Sequence, residues 1–185
     1  MAQVNKPITM KTLAAGAGAG VLAVAVFCAN LLFSPPPVTQ LDARAMRAIT
    51  NEGTFKTIQG DGSRAIHVFL STECPYCKKI EPELSQLENV TVYRHMLPGH
   101  TEAGRLSAID VWCSTNPIAA WRAVTFGVAP GPAKCDASAL DKNLALATRL
   151  GLTMTPSIVY EDGHVSAGML SSREIAEHVA TSPKR

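Results

Sequence analysis

Aromatic side chains make up only 5% of this chain of 185 residues, and charge is also sparse. Lys, Arg, Asp and Glu together reach 17%, and their formal net charge is +2. So few aromatics leave no platform on which bases could stack. No cluster of Lys and Arg is dense enough to follow a phosphate backbone. Both absences speak against nucleic acid as a partner. Ordered metal-ligand spacing is missing too. Cys74, Cys77 and a histidine would still need a fourth ligand, and none stands at a suitable position, so neither a metal nor another cofactor is expected.

Apolar residues, by contrast, reach 46%, which predicts a real core and argues against global disorder. Part of that excess lies at 12–33, a run of 22 residues without charge, with Lys6 and Lys11 before it. At 1.5 Å per residue such a run crosses a hydrocarbon core about 30 Å thick. A secretory signal has an apolar region of roughly 7–15 residues that ends at its cleavage site. Here the apolar run passes Ala23-Val24-Ala25 and continues through Phe27, Leu31, Leu32 and Phe33. The expectation is a tail at 1–11 and an uncleaved anchor at 12–33, with signal cleavage as the alternative. Bulky Phe27 before Cys28 argues against a lipid-modified cysteine, and Cys28 is expected to be inert. The flanking charges orient the anchor only weakly. Beyond it stand four cysteines, Cys74, Cys77, Cys113 and Cys135. That even number suits an oxidising compartment, so the domain is expected outside the cytoplasm.

Ser34-Pro35-Pro36-Pro37 predicts a stiff exit from the span. Weak helical patterning over 38–49 predicts a stalk or packed flank, and 51–63 reads as turn and short strand broken by Gly53, Gly60 and Gly62, so 34–60 is read as connection and 61–185 as the domain. Within the domain, 65–70 is a strand-like apolar run, and 90–97 alternates like a second strand. Helical periodicity follows at 101–114 and 118–126, then a Gly/Pro-rich loop at 127–133. A third helix at 138–150 opens with Ser138 and Asp141 in a capping-box pattern. Residues 157–160 and 164–169 read as a hairpin about Glu161-Asp162-Gly163. The last helix begins at Ser171, with Glu174 completing a second box. The order β-α-β, helical insert, β-β-α predicts an α/β thioredoxin fold with an inserted helical region, preceded by a single transmembrane helix.

The chemistry centres on Cys74-Pro75-Tyr76-Cys77, placed between the first strand and a helix. Two thiols at that spacing can close and reopen within one helical turn, and the strand-to-helix context favours a redox site over a staple. Cys74 would sit at the helix N-terminus, where N–H groups and the dipole favour thiolate, the species that attacks disulfides. Cys77, one turn in, would be shielded and would resolve the mixed disulfide. Pro75 and Tyr76 would shape the entry. Glu73 is expected either to raise the Cys74 pKa through its charge or to face solvent. His67 reads as a structural strand histidine.

From 65 to 180 the chain resembles the catalytic domain of the bacterial periplasmic disulfide isomerase family (DsbC/DsbG type). The shared elements are the strand into Cys74-Pro75-Tyr76-Cys77-Lys78, then Val111-Trp112-Cys113, Cys135-Asp136, Leu150-Gly151-Leu152 and Thr155-Pro156. The resemblance implies Cys74 as attacking thiol, Cys77 as resolving thiol, and Thr155-Pro156 as a cis-proline loop that pairs with a substrate peptide. It also implies a structural disulfide between Cys113 and Cys135. Exported proteins with disulfides would be the substrates, served by a membrane or periplasmic redox partner, with the domain in the periplasm and 12–33 in the inner membrane. Two departures stand out. Val68 occupies the position six residues before Cys74, where related reductases and oxidases commonly carry a buried acid. The linker at 34–60 is also too short for the family's dimerisation module, which is expected to be missing. The expected activity is therefore reduction or isomerisation of disulfides. A disulfide-donating oxidase, or a non-catalytic component of a secretion or conjugation assembly, is the alternative.

Overall fold

A computed structural model describes residues 38–182 of the protein. Its centre is β2 (Arg64–Leu70), buried at every position but the first. β3 (Val90–Met96) is buried throughout and lies parallel beside it. Parallel neighbours need a crossover, and α2 (Pro75–Ser85) supplies it. On the other side of β2 runs β4 (Ser157–Tyr160), antiparallel, followed by β5 (Val165–Ala167). With β1 (Phe55–Ile58) antiparallel to β3, the sheet order is β1-β3-β2-β4-β5.

Period-2 alternation sends the two strand faces into two cores. Ile66, Val68, Leu70, Val92 and Met96 pack against Ile80 and Leu84 of α2. The same core takes Val111 of α3 (Glu102–Cys113), Trp121 of α4 (Pro117–Thr125) and Ile175 of α6 (Ser172–Thr181). On the opposite face Phe69, Leu97 and Val159 meet Leu146 and Ala147 of α5 (Ser138–Arg149). The insert between β3 and β4 is thus three helices, α3 to α5. This is a thioredoxin-like α/β fold, a mixed sheet with helices on both faces.

Three local readings sharpen. The segment 34–60, expected as exit, stalk and linker, is from residue 38 onward part of the fold. β1 joins the sheet, Gln40 bridges His164, and Leu41 N–H donates to the Gly163 carbonyl at 2.8 Å. The reason is the open edge of the β4–β5 hairpin, whose unpaired backbone groups the incoming segment satisfies. Helical patterning over 38–49 condenses to one short helix, α1 (Ala43–Arg47), capped by Asp42. The capping box expected at Ser138 does not form. The N-cap is Ala137, without a side-chain bond; Asp136 Oδ1 accepts from Ser138 N–H at 2.9 Å instead, and Asp141 pairs with Arg105. At α6 both halves of the box between Ser171 and Glu174 are made.

Among the described residues no helix is long and apolar enough to cross a membrane. The expected anchor at 12–33, with Cys28 inside it, lies outside them.

Candidate active site

β2 ends at Leu70, and four residues later the chain turns into α2 at Cys74. Cys74 is the N-cap: its Sγ accepts a hydrogen bond from Cys77 N–H at 3.3 Å. Pro75 takes the first helical position, where a missing N–H costs nothing because that group would be unpaired anyway. The sulfur of Cys74 also lies 3.2 Å from the carbonyl oxygen of Thr155, 81 residues on in sequence. The Thr155–Pro156 peptide bond is cis. The structure therefore brings Cys74, Pro75, Tyr76, Cys77, Thr155 and Pro156 into one place. Tyr76 is 54% exposed and Met154 50% exposed, which leaves an apolar rim around a half-buried sulfur.

The two thiols sit in opposite environments. Burial alone would push the Cys74 thiol up; hydrogen bonding from the Thr155 side chain, the Cys77 thiol and the N–H groups of Cys77 and Tyr76 outweighs it, so the net shift is downward. That favours thiolate. Cys77 is fully buried in the core formed by Val68, Ile80 and Ile158. Its burial pushes the thiol pKa up, and the neighbouring Cys74 adds to the rise. The Cys74 sulfur is thus the more readily ionised of the two, and burial holds Cys77 as a thiol.

Glu73 sits at the surface, one of the two places expected of it, but its carboxylate is engaged with the next helix. Its carboxylate is turned away from the motif and accepts from His100 N–H, Thr101 N–H and the Thr101 hydroxyl. These bonds, the Thr101 hydroxyl first, hold the carboxyl below its ordinary pKa. Thr101 is the N-cap of α3, so Glu73 clamps the start of the insert to the active-site turn. The approach is close enough that a Cβ at Gly104 would overlap the Glu73 carboxylate.

Val68 is completely buried, and the core face beneath Cys77 carries no acid at that position. His67 points to the other face, where its Nδ1 lies 2.9 Å from His95 Nε2. His95 in turn meets Asn143, and burial lowers its pKa to about 4. A buried acid does exist one turn beyond Cys77. Glu81 accepts from Arg94 Nη2 at 2.8 Å, Arg94 Nε at 3.0 Å and Trp121 Nε1 at 2.8 Å. The signal for it is an acid four residues after Cys77 on the buried stripe of α2, matched by a lone Arg in an otherwise apolar strand face. Further out, Cys113 and Cys135 form a disulfide with a Cα–Cα distance of 5.4 Å. It joins the end of α3 to the loop before α5, beside Trp112, whose Nε1 donates to the Asp136 carbonyl at 3.2 Å. Among the described residues no group of three or more His, Cys, Asp or Glu side chains could hold a metal ion.

A dithiol at a helix N-terminus facing a cis-proline loop, on this sheet order, defines a redox-type thioredoxin fold. The chain belongs to the thioredoxin-like domain family, whose model matches residues 52–182. It is homologous to DsbC-type thiol:disulfide interchange proteins. The probable DsbC of Bordetella pertussis is 34% identical over 121 residues, covering 65% of this chain and 43% of that protein. Escherichia coli DsbC is 28% identical over 116 residues, 60% of this chain and 49% of that protein. The chain thus spans about half the length of the curated relatives it matches. A disulfide interchange protein from Neisseria gonorrhoeae superposes with a TM-score of 0.66 at 27% identity, covering 74% of this chain and all of that one. The catalytic domain of Proteus mirabilis ScsC shares the fold, with a TM-score of 0.57 at 18% identity over 74% of this chain and 96% of that one.

Proposed function

We propose that this protein is a thiol–disulfide oxidoreductase that reduces or isomerises disulfides in exported proteins. Cys74 attacks a substrate disulfide as thiolate, and Cys77 releases the mixed disulfide when the substrate does not rearrange by itself. Thr155 and Pro156 hold the substrate backbone beside the sulfur, while Pro75 and Tyr76 line its approach. The observation that carries this reading is the Cys74 sulfur itself, capped by Cys77 N–H at 3.3 Å and set 3.2 Å from the Thr155 carbonyl. The homology to thiol:disulfide interchange proteins supports the same chemistry.

The compartment belongs to this proposal too. The Cys113–Cys135 disulfide is stable in an oxidising space and rare in the cytosol. Together with the uncharged run at 12–33, it supports an inner-membrane anchor with the domain in the periplasm, where a membrane or periplasmic partner exchanges electrons with Cys74 and Cys77. Cys74→Ser is expected to abolish turnover of a disulfide-bonded substrate while leaving the thermal unfolding curve in place. Undiminished turnover by that variant overturns the proposal. Thiol trapping in cells then sets the direction: mainly reduced Cys74 and Cys77 fit a reductase or isomerase, mainly oxidised ones a disulfide donor.

A further inference from the structure

Most of the large apolar side chains described are buried, so a cluster of them left in solvent points to something that covers it. One such cluster belongs to the helical insert. Phe126 is 80% exposed, and Leu106 and Val128 are each more than half exposed. Leu106 stands on α3, and the other two lie just past the end of α4. Beside them opens a groove of about 440 Å³, within the range of roughly 300–1,000 Å³ that ligand sites occupy. Among the described residues that line it, only Lys78 and Asp110 carry charge. Asp110 is engaged, since its Oδ1 accepts from Ala133 N–H at 2.9 Å. The wall that follows α4 is held at both ends. Val128 N–H donates to the Ala123 carbonyl at 2.9 Å, Ala133 is fixed by Asp110, and Cys135 is bonded to Cys113 at the end of α3. A wall fixed in this way loses little freedom when something binds against it.

The groove reaches the active-site turn. Thr72, two residues before Cys74, and Lys78, four after it, both line it. The Thr72 hydroxyl also donates to the Gly104 carbonyl of α3 at 3.2 Å. The sheet order sets β4, which follows Thr155-Pro156, on one side of β2, and β3, which leads into α3, on the other. The turn that carries Cys74 therefore lies between the cis-proline loop and the groove. From Ala103 to Asp110, two further lining residues, α3 rises about 10 Å, the length of about three extended residues.

Resting on the thiol–disulfide reading above, we propose that the groove between α3 and the loop after α4 is a second seat for the substrate. An extended polypeptide joined to Cys74 crosses the active-site turn and lays an apolar side chain, about three to five residues from its own cysteine, against Leu106 and Val128. The preferred substrate is then a cysteine with an aliphatic or aromatic residue at that distance in an extended stretch, not any accessible disulfide. The bond chemistry is that of the dithiol alone. Cys74 thiolate attacks one sulfur of the substrate disulfide, and a bond forms to Cys74 Sγ as the substrate S–S bond breaks. The electron pair leaves on the other substrate sulfur, which takes a proton from water. The groove selects which disulfide is brought to Cys74, and the insert with its own disulfide takes part in that choice.

The test uses the full chain in lipid nanodiscs, since detergent would compete for an apolar groove, with Cys74 and Cys77 reduced and Cys113–Cys135 intact. The probes are symmetrical disulfides of short capped peptides, Gly and Ser around one Cys, with Leu or Ser about four residues before or after it. Acid-quenched chromatography follows release of the first peptide thiol. Each second-order rate is divided by that for oxidised glutathione on the same protein, which cancels any change in the sulfur itself. In one of the two series the leucine peptide is expected to react about tenfold faster than its serine partner, the factor that burying one leucine side chain supplies. Leu106→Ser with Val128→Ser is expected to bring that ratio close to one. Leu106→Ala is expected to lower it part of the way, and decides the matter if the double variant fails to fold. Equal rates for leucine and serine peptides in both series overturn this inference and leave the thiol–disulfide reading standing, as does a leucine preference that survives both variants. A double variant that changes sedimentation but not the peptide ratio shows a second copy of the chain on the groove, which also overturns it. Absence of reaction with glutathione and every peptide overturns both.

Discussion

The domain holds two cysteine pairs built to opposite ends. Cys74 and Cys77 are three residues apart at a helix N-terminus and carry free thiols. One sulfur is half-buried beside an exposed rim, the other sealed in the core. Cys113 and Cys135 are 22 residues apart and bonded to each other. They close a loop that contains α4 and the Gly/Pro-rich stretch before Cys135. Closing a long loop removes conformations from the unfolded chain, whereas closing a single turn removes few. The first pair is therefore arranged for reactivity and the second for stability. What separates them is loop length and local electrostatics, since both pairs stay within reach of solvent on at least one side.

The comparison can be strained hardest at Glu81, which lies under the first pair and is bonded to Trp121 inside the loop closed by the second. Glu81→Ala leaves Arg94 buried without its partner and is expected to cost about 3–5 kcal/mol in denaturant unfolding. A cost below about 1 kcal/mol would mean that the two regions are not joined through this carboxylate. Next is the disulfide. Replacing Cys113 and Cys135 together with Ala is expected to cost about 3 kcal/mol, while turnover by Cys74 persists at temperatures below unfolding. Loss of turnover without loss of stability would reverse the division of labour between the pairs. Smaller again is an acid effect that belongs to neither pair. His95 is held neutral to about pH 4 by burial, so between about pH 6.5 and 4 the unfolded chain takes up the proton and the folded chain does not. Stability is full above that window and falls as pH falls through it, by about 2 kcal/mol at pH 5. His95→Gln is expected to remove this slope; an unchanged slope would place the acid sensitivity elsewhere.

The sheet and its helices were legible because apolar periodicity and turn residues agree over long stretches, as they do at 65–70, 90–97 and 157–160. The placing of Thr155-Pro156 beside the dithiol came with the family resemblance rather than from periodicity, and the Cys74 sulfur does lie 3.2 Å from the Thr155 carbonyl. What escaped was set by contacts distant in sequence. The short strand read within 51–63 is there as β1, but 38–50 look like a stalk when read locally and become fold because a hairpin edge accepts them. Ser138 and Asp141 have the spacing of a cap, yet Asp136 and Arg105 claim their partners first. Glu73 looked like a neighbour of Cys74 and proved a neighbour of Thr101. Charged residues are the hardest to place, because the same carboxylate can face a thiol, solvent or a helix end, and only the fold decides which.

That last contact yields the smallest expected effect and the finest test of how separate the two pairs are. α3 starts at its cap Thr101, held by Glu73, and ends at Cys113. One helix therefore links Glu73, the residue beside Cys74, to the disulfide. Thr101→Ala removes the cap and one of the Glu73 bonds and is expected to cost about 1 kcal/mol. Released from the helix N-terminus, the Glu73 carboxylate can swing toward Cys74, where its negative charge disfavours the thiolate. Iodoacetamide labelling of Cys74 below its pKa should therefore slow in Thr101→Ala, and adding Glu73→Gln should restore the rate without restoring the stability. Labelling that is unchanged in Thr101→Ala would show that the clamp serves the insert alone. Labelling that slows and is rescued only when the charge is removed would show that the stable region also tunes the reactive one.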